Sequence, residues 1–171
     1  MRRALPLALS ALLFAPAAGA GEHQLSGYVR GGGQLHLSAA RTMGGIGGGV
    51  GVRDVWQDRF LFQVDASYLV MLGNVLALRA GAGVQRRGLY SPAVLLVGSA
   101  LLGDQLTFLL PERASPARGP ALSIGLAMAP LRFAVPGAQV SVLELGVLVG
   151  LDSPDLALGF SVGLLEIAAS F

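Results

Sequence analysis

Residues 60–85 read FLFQVDASYLVMLGNVLALRAGAGVQ and contain the clearest structural pattern in the chain. In the first half, apolar residues occupy every second position from Phe60 onward, and mostly polar residues lie between them. In the second half, leucines, alanines and a valine alternate with Arg79, a glutamine and small residues. This period of two predicts β-strands with one apolar face. Gly73 and Asn74 predict a tight turn, so the stretch is predicted to form a hairpin.

The same alternation continues on both sides of this hairpin. Residues 93–102 and 105–110 flank Gly103-Asp104, a pair that favours a two-residue hairpin turn. Further arms are predicted at residues 44–56, 122–129, 143–149 and 156–171. Residues 24–40 form either a segment outside the wall or one or two strands. Single-chain bacterial barrels have an even number of strands. We therefore expect eight strands if this segment lies outside, and ten if it forms a hairpin turning at residues 31–33.

The connections between the arms also differ in length. Short ones are predicted at residues 72–74, 103–104 and 136–137, and longer ones at residues 53–58, 86–91, 111–120 and 151–155. Transmembrane barrels have tight turns on one rim and longer loops on the other. The predicted fold class is therefore an all-β, antiparallel, up-and-down transmembrane β-barrel, with eight strands favoured over ten.

Two other classes fit part of the pattern. A helical membrane protein would explain the mean hydropathy of +0.65, but every apolar run is interrupted before the roughly 18–20 residues that a spanning helix needs. A secreted soluble β-sandwich or lipocalin-like barrel would also alternate. Its outward face should be polar, whereas here large aliphatic residues share one face and small or polar residues share the other.

Composition excludes several function classes. Apolar residues make up 53% of the chain and charged residues 13%, so the sequence is too apolar to be disordered. The 25 glycines argue against long helices. The 12 basic residues are all arginine and form no basic stripe, so nucleic acid is not an expected partner. No cysteine is present, which excludes disulfides and thiolate metal sites.

Residues 1–20 have the three parts of an export signal. Arg2 and Arg3 precede an apolar stretch at residues 4–15, and Ala18-Gly19-Ala20 provides the small residues of a cleavage site. We expect this signal peptide to be removed, leaving a neutral chain. The predicted organisation is a signal peptide at residues 1–20, an N-terminal segment or first strands at residues 21–40, and a β-barrel domain at residues 41–171.

The last arm places Leu165, Ile167, Ala169 and Phe171 at alternate positions. This arm resembles the terminal strand of bacterial outer-membrane β-barrel proteins, in which a final aromatic and alternating apolar residues are recognised by the barrel-assembly machinery. The resemblance implies an outer-membrane protein of a Gram-negative bacterium, with the lipid bilayer and that machinery as partners. Leu165, Ile167 and Phe171 would form the assembly signal, and Ala169 departs from the usual larger residue.

Aromatic residues are few, and the candidates for an interfacial belt are Trp56, Tyr68, Tyr90, Phe108 and Phe133.

The sequence contains no convincing catalytic, cofactor or metal motif. Some small outer-membrane barrels are lipid-modifying enzymes that need a serine with a positioned histidine and acid. The two histidines, His23 and His36, both precede the strand pattern that starts at residue 60, and neither has a second histidine at ligand spacing. The glycine cluster at residues 44–49 lacks the Lys-Ser/Thr of a phosphate loop. We expect a protein that is not an enzyme and has no cofactor.

Three charged residues fall on the inward face of the predicted strands: Asp65, Arg79 and Glu144. Asp65 and Arg79 lie at similar depth on neighbouring arms, so a cross-strand ion pair or polar lumen lining is expected. Arg113 and Arg118 are candidate loop contacts for other envelope proteins. Three functions remain open at this point. They are a structural barrel or membrane-embedded component of an envelope complex, a narrow channel or carrier for small neutral or apolar solutes, and a soluble secreted or periplasmic binding module.

Overall fold

The computed structural model describes residues 23–38, 41–106, 119–151 and 157–171. Its strands are β1 (His23–Leu37), β2 (Thr42–Trp56), β3 (Phe60–Met71), β4 (Val75–Gln85), β5 (Ala93–Gly103), β6 (Ala121–Val135), β7 (Ala138–Gly150) and β8 (Leu158–Ser170). Each strand pairs antiparallel with the next, and β8 pairs with β1 to close the barrel. The predicted all-β, up-and-down barrel with eight strands is confirmed. No helix long and apolar enough to span a membrane occurs in the described ranges.

Side-chain burial alternates along the strands as the sequence predicts. In β3, Gln63 and Asp65 point inward and are buried, whereas Phe62, Val64 and Tyr68 point outward and are at least half exposed. The same pattern holds for the β4 half of the hairpin. Each strand has between 11 and 15 residues, which is at least the roughly 9–11 residues that a tilted strand needs to cross a bilayer. The barrel therefore exposes its apolar face on the outside.

Two segments of the chain have a different role from the one predicted. Residues 23–37 form β1 inside the wall, paired with both β2 and β8, so the interpretation that placed residues 24–40 outside the wall is wrong. The hairpin predicted at Gly103-Asp104 is also wrong. Asp104 instead accepts a hydrogen bond from the backbone N–H of Asn74 (2.8 Å), and Leu106 bridges to Thr42. The turn residues serve the neighbouring β3–β4 connection, and residues 107–110 lie outside the described part of the chain.

This misassigned hairpin also explains an error in the predicted rims. We call the end of the barrel that holds His23 and Phe171 the terminus rim, and the opposite end the loop rim. The short connections at residues 72–74 and 136–137 lie on opposite rims, because three strands, β4, β5 and β6, separate them in the observed order. Most of the predicted loop at residues 53–58 belongs to β2. The actual turn is Gln57-Asp58, with φ of 54° and 55°.

Two irregularities change which residues face inward. The β6–β7 register shifts around Pro130, where a proline cannot donate to the ladder. The β1–β8 register shifts at Gly31/Gly32, so that Leu164 has no Cα partner in β1. Each β-bulge moves the following residues to the other face of the strand. As a result, Arg132 and Glu166 point into the barrel and are buried.

The glycine-rich β2 packs closely against its neighbours. A Cβ atom on Gly51 would lie 2.4 Å from the ring of Tyr28 and 2.6 Å from the carbonyl oxygen of Val64. A Cβ on Gly49 would lie 2.1 Å from the hydroxyl of Ser67. Glycine is therefore the residue that leaves room for the Tyr28 ring inside the barrel. This agrees with the interpretation of the glycine cluster as a barrel strand.

Candidate functional site

A group of ionic side chains fills the middle of the barrel. We call it the interior ion network, and it consists of Tyr28, Arg30, Arg53, Asp65, Arg79, Arg132, Glu144 and Glu166. The ion-paired side chains in this set are no more than 9% exposed. Inward-facing positions on seven different strands, all except β5, supply them. The network is the main concentration of buried charge in the described part of the chain.

Asp65 is the centre of the first half of the network. It lies directly opposite Arg79 in the β3–β4 ladder, and Arg79 Nε donates to Asp65 Oδ2 at 3.0 Å. The Tyr28 hydroxyl donates to the same oxygen at 2.9 Å. Arg30 Nη1 approaches both carboxylate oxygens at 3.5 Å. The structure thus places the expected Asp65–Arg79 pair in contact and adds two further donors.

Glu144 connects this group to the far side of the barrel. Arg79 Nη1 donates to Glu144 Oε1, and Arg30 Nη2 lies 3.6 Å from the same oxygen. Glu144 belongs to β7, whereas Arg79 belongs to β4. Because these strands are not neighbours, the ion pairs cross the interior rather than run along the wall. Asp65, Arg79 and Glu144, the three charges expected in the lumen, therefore form one connected cluster.

The second half of the network is built around Arg53. Its Nη2 donates to Glu166 Oε1 and, at 3.0 Å, to Gln63 Oε1. Its Nη1 donates to Gln139 Oε1 at 2.6 Å. The guanidinium carbon lies 4.7 Å from the centre of the Tyr28 ring, within the range of a cation–π contact. A buried arginine with this many acceptors is well compensated for its loss of hydration.

Arg132 lies between the two halves. Its Nη2 is 3.7 Å from Glu166 Oε1 and 3.9 Å from Glu144 Oε2. Within the described ranges, none of its three guanidinium nitrogens has a hydrogen-bond acceptor, although the side chain is fully buried. The network contains four guanidinium groups and three carboxylates, which leaves an excess of one positive charge. Charge balance inside the barrel therefore depends on each carboxylate.

Little free volume remains beside the network. A cavity of about 20 Å³ lies next to Arg30, Asp65 and Arg79, and this is room for about one water molecule. Further along the interior, Gln34 Nε2 donates to Ser99 Oγ at 2.6 Å. Fully buried apolar side chains fill other parts of the interior, among them Leu61, Leu95 and Leu101. Among the described residues, large buried side chains thus alternate with small ones and fill much of the interior.

Hydrogen bonds also join separate segments of the chain at the loop rim. Arg41, in the β1–β2 connection, donates from Nη1 to Gly119 O (2.6 Å) and from Nη2 to Pro120 O (2.7 Å). Burial lowers the pKa of Arg41 from its ordinary value. The bridge between Thr42 and Leu106 places the start of the β5–β6 connection beside the start of β2. These contacts attach the connection before β6 to the start of β2.

Other residues singled out in the sequence lie on the outside or beyond the described ranges. Leu165, Ile167 and Phe171 all face outward, and the Phe171 N–H donates to Leu25 O at 3.1 Å. Arg113 and Arg118 lie outside the described residues, as does the predicted signal peptide.

His23 Nδ1 lies 2.9 Å from Asp54 Oδ2 near the surface, and His36 is buried. No group of three or more His, Asp or Glu side chains in the described residues is placed to hold a metal ion.

Sequence reasoning missed five members of the network. Tyr28, Arg30 and Arg53 could have been found by extending the period of two into β1 and β2, since all three share the buried face of their strands. Arg132 and Glu166 are harder to find. Each follows a bulge that reverses the alternation set by the preceding residues. A proline at residue 130 and two adjacent leucines before Glu166 are the local signals.

A closed antiparallel barrel with an apolar exterior and a charged interior is the architecture of small outer-membrane β-barrels. Among solved structures, the chain is similar to the crystal structure of Neisserial surface protein A (NspA). The two share 10% sequence identity and a TM-score of 0.47, over 90% of this chain and 100% of that one. No protein-family model matches the sequence, and no curated protein matches it. The assignment to this fold class depends on the closed order of the eight strands.

Proposed function

We propose that this protein is a non-enzymatic, non-conducting outer-membrane barrel that acts structurally or as the membrane-embedded component of an envelope complex. The interior ion network is the observation that carries this proposal. It spans the lumen from β3 and β4 to β7, and the cavity beside it holds about one water molecule. A solute would have to break several buried ion pairs to pass. Small barrels of eight strands are generally filled by their own side chains.

The outer surface supports membrane residence. Val64, Leu126 and Val147 are each more than half exposed near the middle of their strands, and such a face is stable only when lipid or another apolar partner covers it. Trp56, Phe60, Tyr90 and Phe133 gather at the terminus rim, where paired rings lie 5.5 and 5.8 Å apart. Aromatic residues of this kind are enriched at the membrane–water interface. An export signal at residues 1–20 would deliver the chain to this compartment.

The proposed partners act on different parts of the barrel. The outward residues Leu165, Ile167 and Phe171 of the last arm would be recognised by the barrel-assembly machinery. Arg113 and Arg118, in the long connection between β5 and β6, would contact other envelope proteins. Neither of these two contacts requires an open pore through the barrel. The channel alternative needs free interior volume, and the packed interior gives it no support.

Reconstitution into lipid bilayers tests the proposal directly. We expect the folded barrel to give no stepwise ion current and no swelling of vesicles in small sugars, because no continuous water path crosses the network. Faster migration of the unheated protein on a denaturing gel verifies that the inserted barrel is folded, and a wide porin serves as the positive control. Reproducible current steps from the folded protein would exclude the non-conducting role and favour a narrow channel.

A further inference from the structure

A groove on the outer face at the terminus rim combines arginines with apolar side chains. We call it the arginine groove. It has a volume of about 770 Å³ and runs between the β2–β3 turn, the β4–β5 connection and the bulge in β6. Arg59, Arg86 and Arg87 line its outer end. Its inner end is lined by Val84, Val94 and Met128, which are outward-facing and about half exposed.

The apolar end is a continuous row across three strands. Val84 lies opposite Val94 in the β4–β5 ladder, and Val94 lies opposite Met128 in the β5–β6 ladder. Pro130, where the β6 register shifts, borders this row. The bulge therefore helps to shape a depression in an otherwise continuous wall. In a membrane, this depression would face the acyl chains.

The charged end has no matching counter-charge. Among the described residues, Arg59 and Arg86 form no ion pair, and both are exposed. Arg87 is held in place because its Nη2 donates to Gln57 O at 2.9 Å. The turn also carries the exposed acid Asp58, so the groove retains an excess of two positive charges. Guanidinium groups bind phosphate oxygens through paired, charge-assisted hydrogen bonds.

The depth of the arginines matches that of a lipid headgroup. Arg59 follows Trp56 in the same turn and donates its backbone N–H to Trp56 O at 3.1 Å. Phe60 lies opposite Val84, and Tyr90 lies in the adjacent connection. These aromatic residues are of the type that occupies the bilayer interface. In a membrane, the arginines would therefore lie at the level of the headgroups. The apolar row of Val84, Val94 and Met128 would lie nearer to the middle of the bilayer.

We propose that the arginine groove binds an anionic glycerophospholipid from the leaflet at the terminus rim. Its phosphate contacts Arg59, Arg86 and Arg87, and the upper part of an acyl chain lies on Val84, Val94 and Met128. This inference rests on the membrane residence proposed above. An uncharged or purely apolar ligand would leave the positive charge of the three arginines without a counter-charge. A soluble anion would leave the apolar row uncovered.

The single tryptophan, Trp56, allows a direct test. The barrel is reconstituted in phosphatidylcholine vesicles, and phosphatidylglycerol brominated in the upper acyl chain is added, since bromine quenches tryptophan fluorescence on contact. Brominated phosphatidylcholine is the reference. We expect phosphatidylglycerol to be preferred by about tenfold or more, because several arginines near the bilayer surface attract an anionic headgroup. Raised salt should reduce the preference.

Two matched variants separate a site from a general charge effect. Arg59→Gln/Arg86→Gln removes two charges from the groove and leaves the Arg87 anchor intact, and it should abolish the preference. Arg113→Gln/Arg118→Gln also removes two charges and should retain it. Equal quenching by both lipids in the folded wild-type barrel would overturn the lipid site while leaving the membrane role intact. Quenching by neither lipid would overturn both.

Discussion

Replacing Glu166 with glutamine is expected to lower the free energy of unfolding by about 3–5 kcal/mol. The change keeps the shape of the side chain but removes one of three carboxylates from the interior ion network. Arg53 and Arg132, which are both fully buried, would lose the charge nearest to them. The excess of positive charge inside the barrel would rise from one to two. Reversible urea titration in detergent micelles, followed by tryptophan fluorescence, measures the effect.

Two comparisons make this result specific to the network. Asp58→Asn makes the same chemical change in an exposed turn, and it should alter stability by no more than about 0.5 kcal/mol. Arg132→Met removes the arginine whose nitrogens lack hydrogen-bond acceptors in the described residues. Added to Glu166→Gln, it returns the excess to one charge and should recover part of the lost stability. A double variant that is less stable than the two single effects combined would contradict this account of charge balance.

Introducing an arginine at Val64 is expected to destabilise the barrel in phospholipid vesicles by about 2–4 kcal/mol. Val64 points outward from the middle of β3 and is 56% exposed. If lipid covers this position, the guanidinium must enter hydrocarbon or distort the bilayer to reach water. At a water-covered position the same change would have little effect. The free energy of unfolding from vesicles, obtained by urea titration, is the quantity to compare.

The matched control is Val70→Arg on the same strand. Val70 also faces outward, but it lies near the loop rim, about 20 Å further along the strand. An arginine near the interface costs only about 0–1 kcal/mol. The lipid-facing arrangement therefore predicts a clear difference between the two positions. Equal costs, or no cost at Val64, would indicate that water rather than lipid contacts the outer face.

The strands and their faces were predictable where the period of two is uninterrupted. The hairpin of β3 and β4 follows the sequence closely, and the contact between Asp65 and Arg79 could be anticipated from their distances to the Gly73 turn. The contact could be predicted because a hairpin turn fixes the register of its two arms. Local sequence was sufficient there, since both partners lie within the same short stretch.

The rest of the site depends on contacts that are distant in sequence. The Arg53–Glu166 pair joins residues 113 positions apart, and it exists only because β1 and β8 close the barrel. The bulge before Glu166 reverses the alternation, so a regular pattern counted forward from Phe160 would place it on the outer face of the barrel. The pair Gly103-Asp104 led to the opposite error, because it predicted a hairpin that the described part of the chain does not contain. Its turn propensity was real, but Asp104 serves as the acceptor for Asn74.

The most direct test of a lipid-facing exterior is the environment of a probe on the middle of β6. The chain has no cysteine, so Leu126→Cys gives one attachment point for a nitroxide on an outward position that is 61% exposed. In phospholipid vesicles, we predict that oxygen, which concentrates in the bilayer, relaxes the nitroxide far more than a water-soluble nickel chelate does. Stronger relaxation by the nickel chelate in the folded protein would contradict the account.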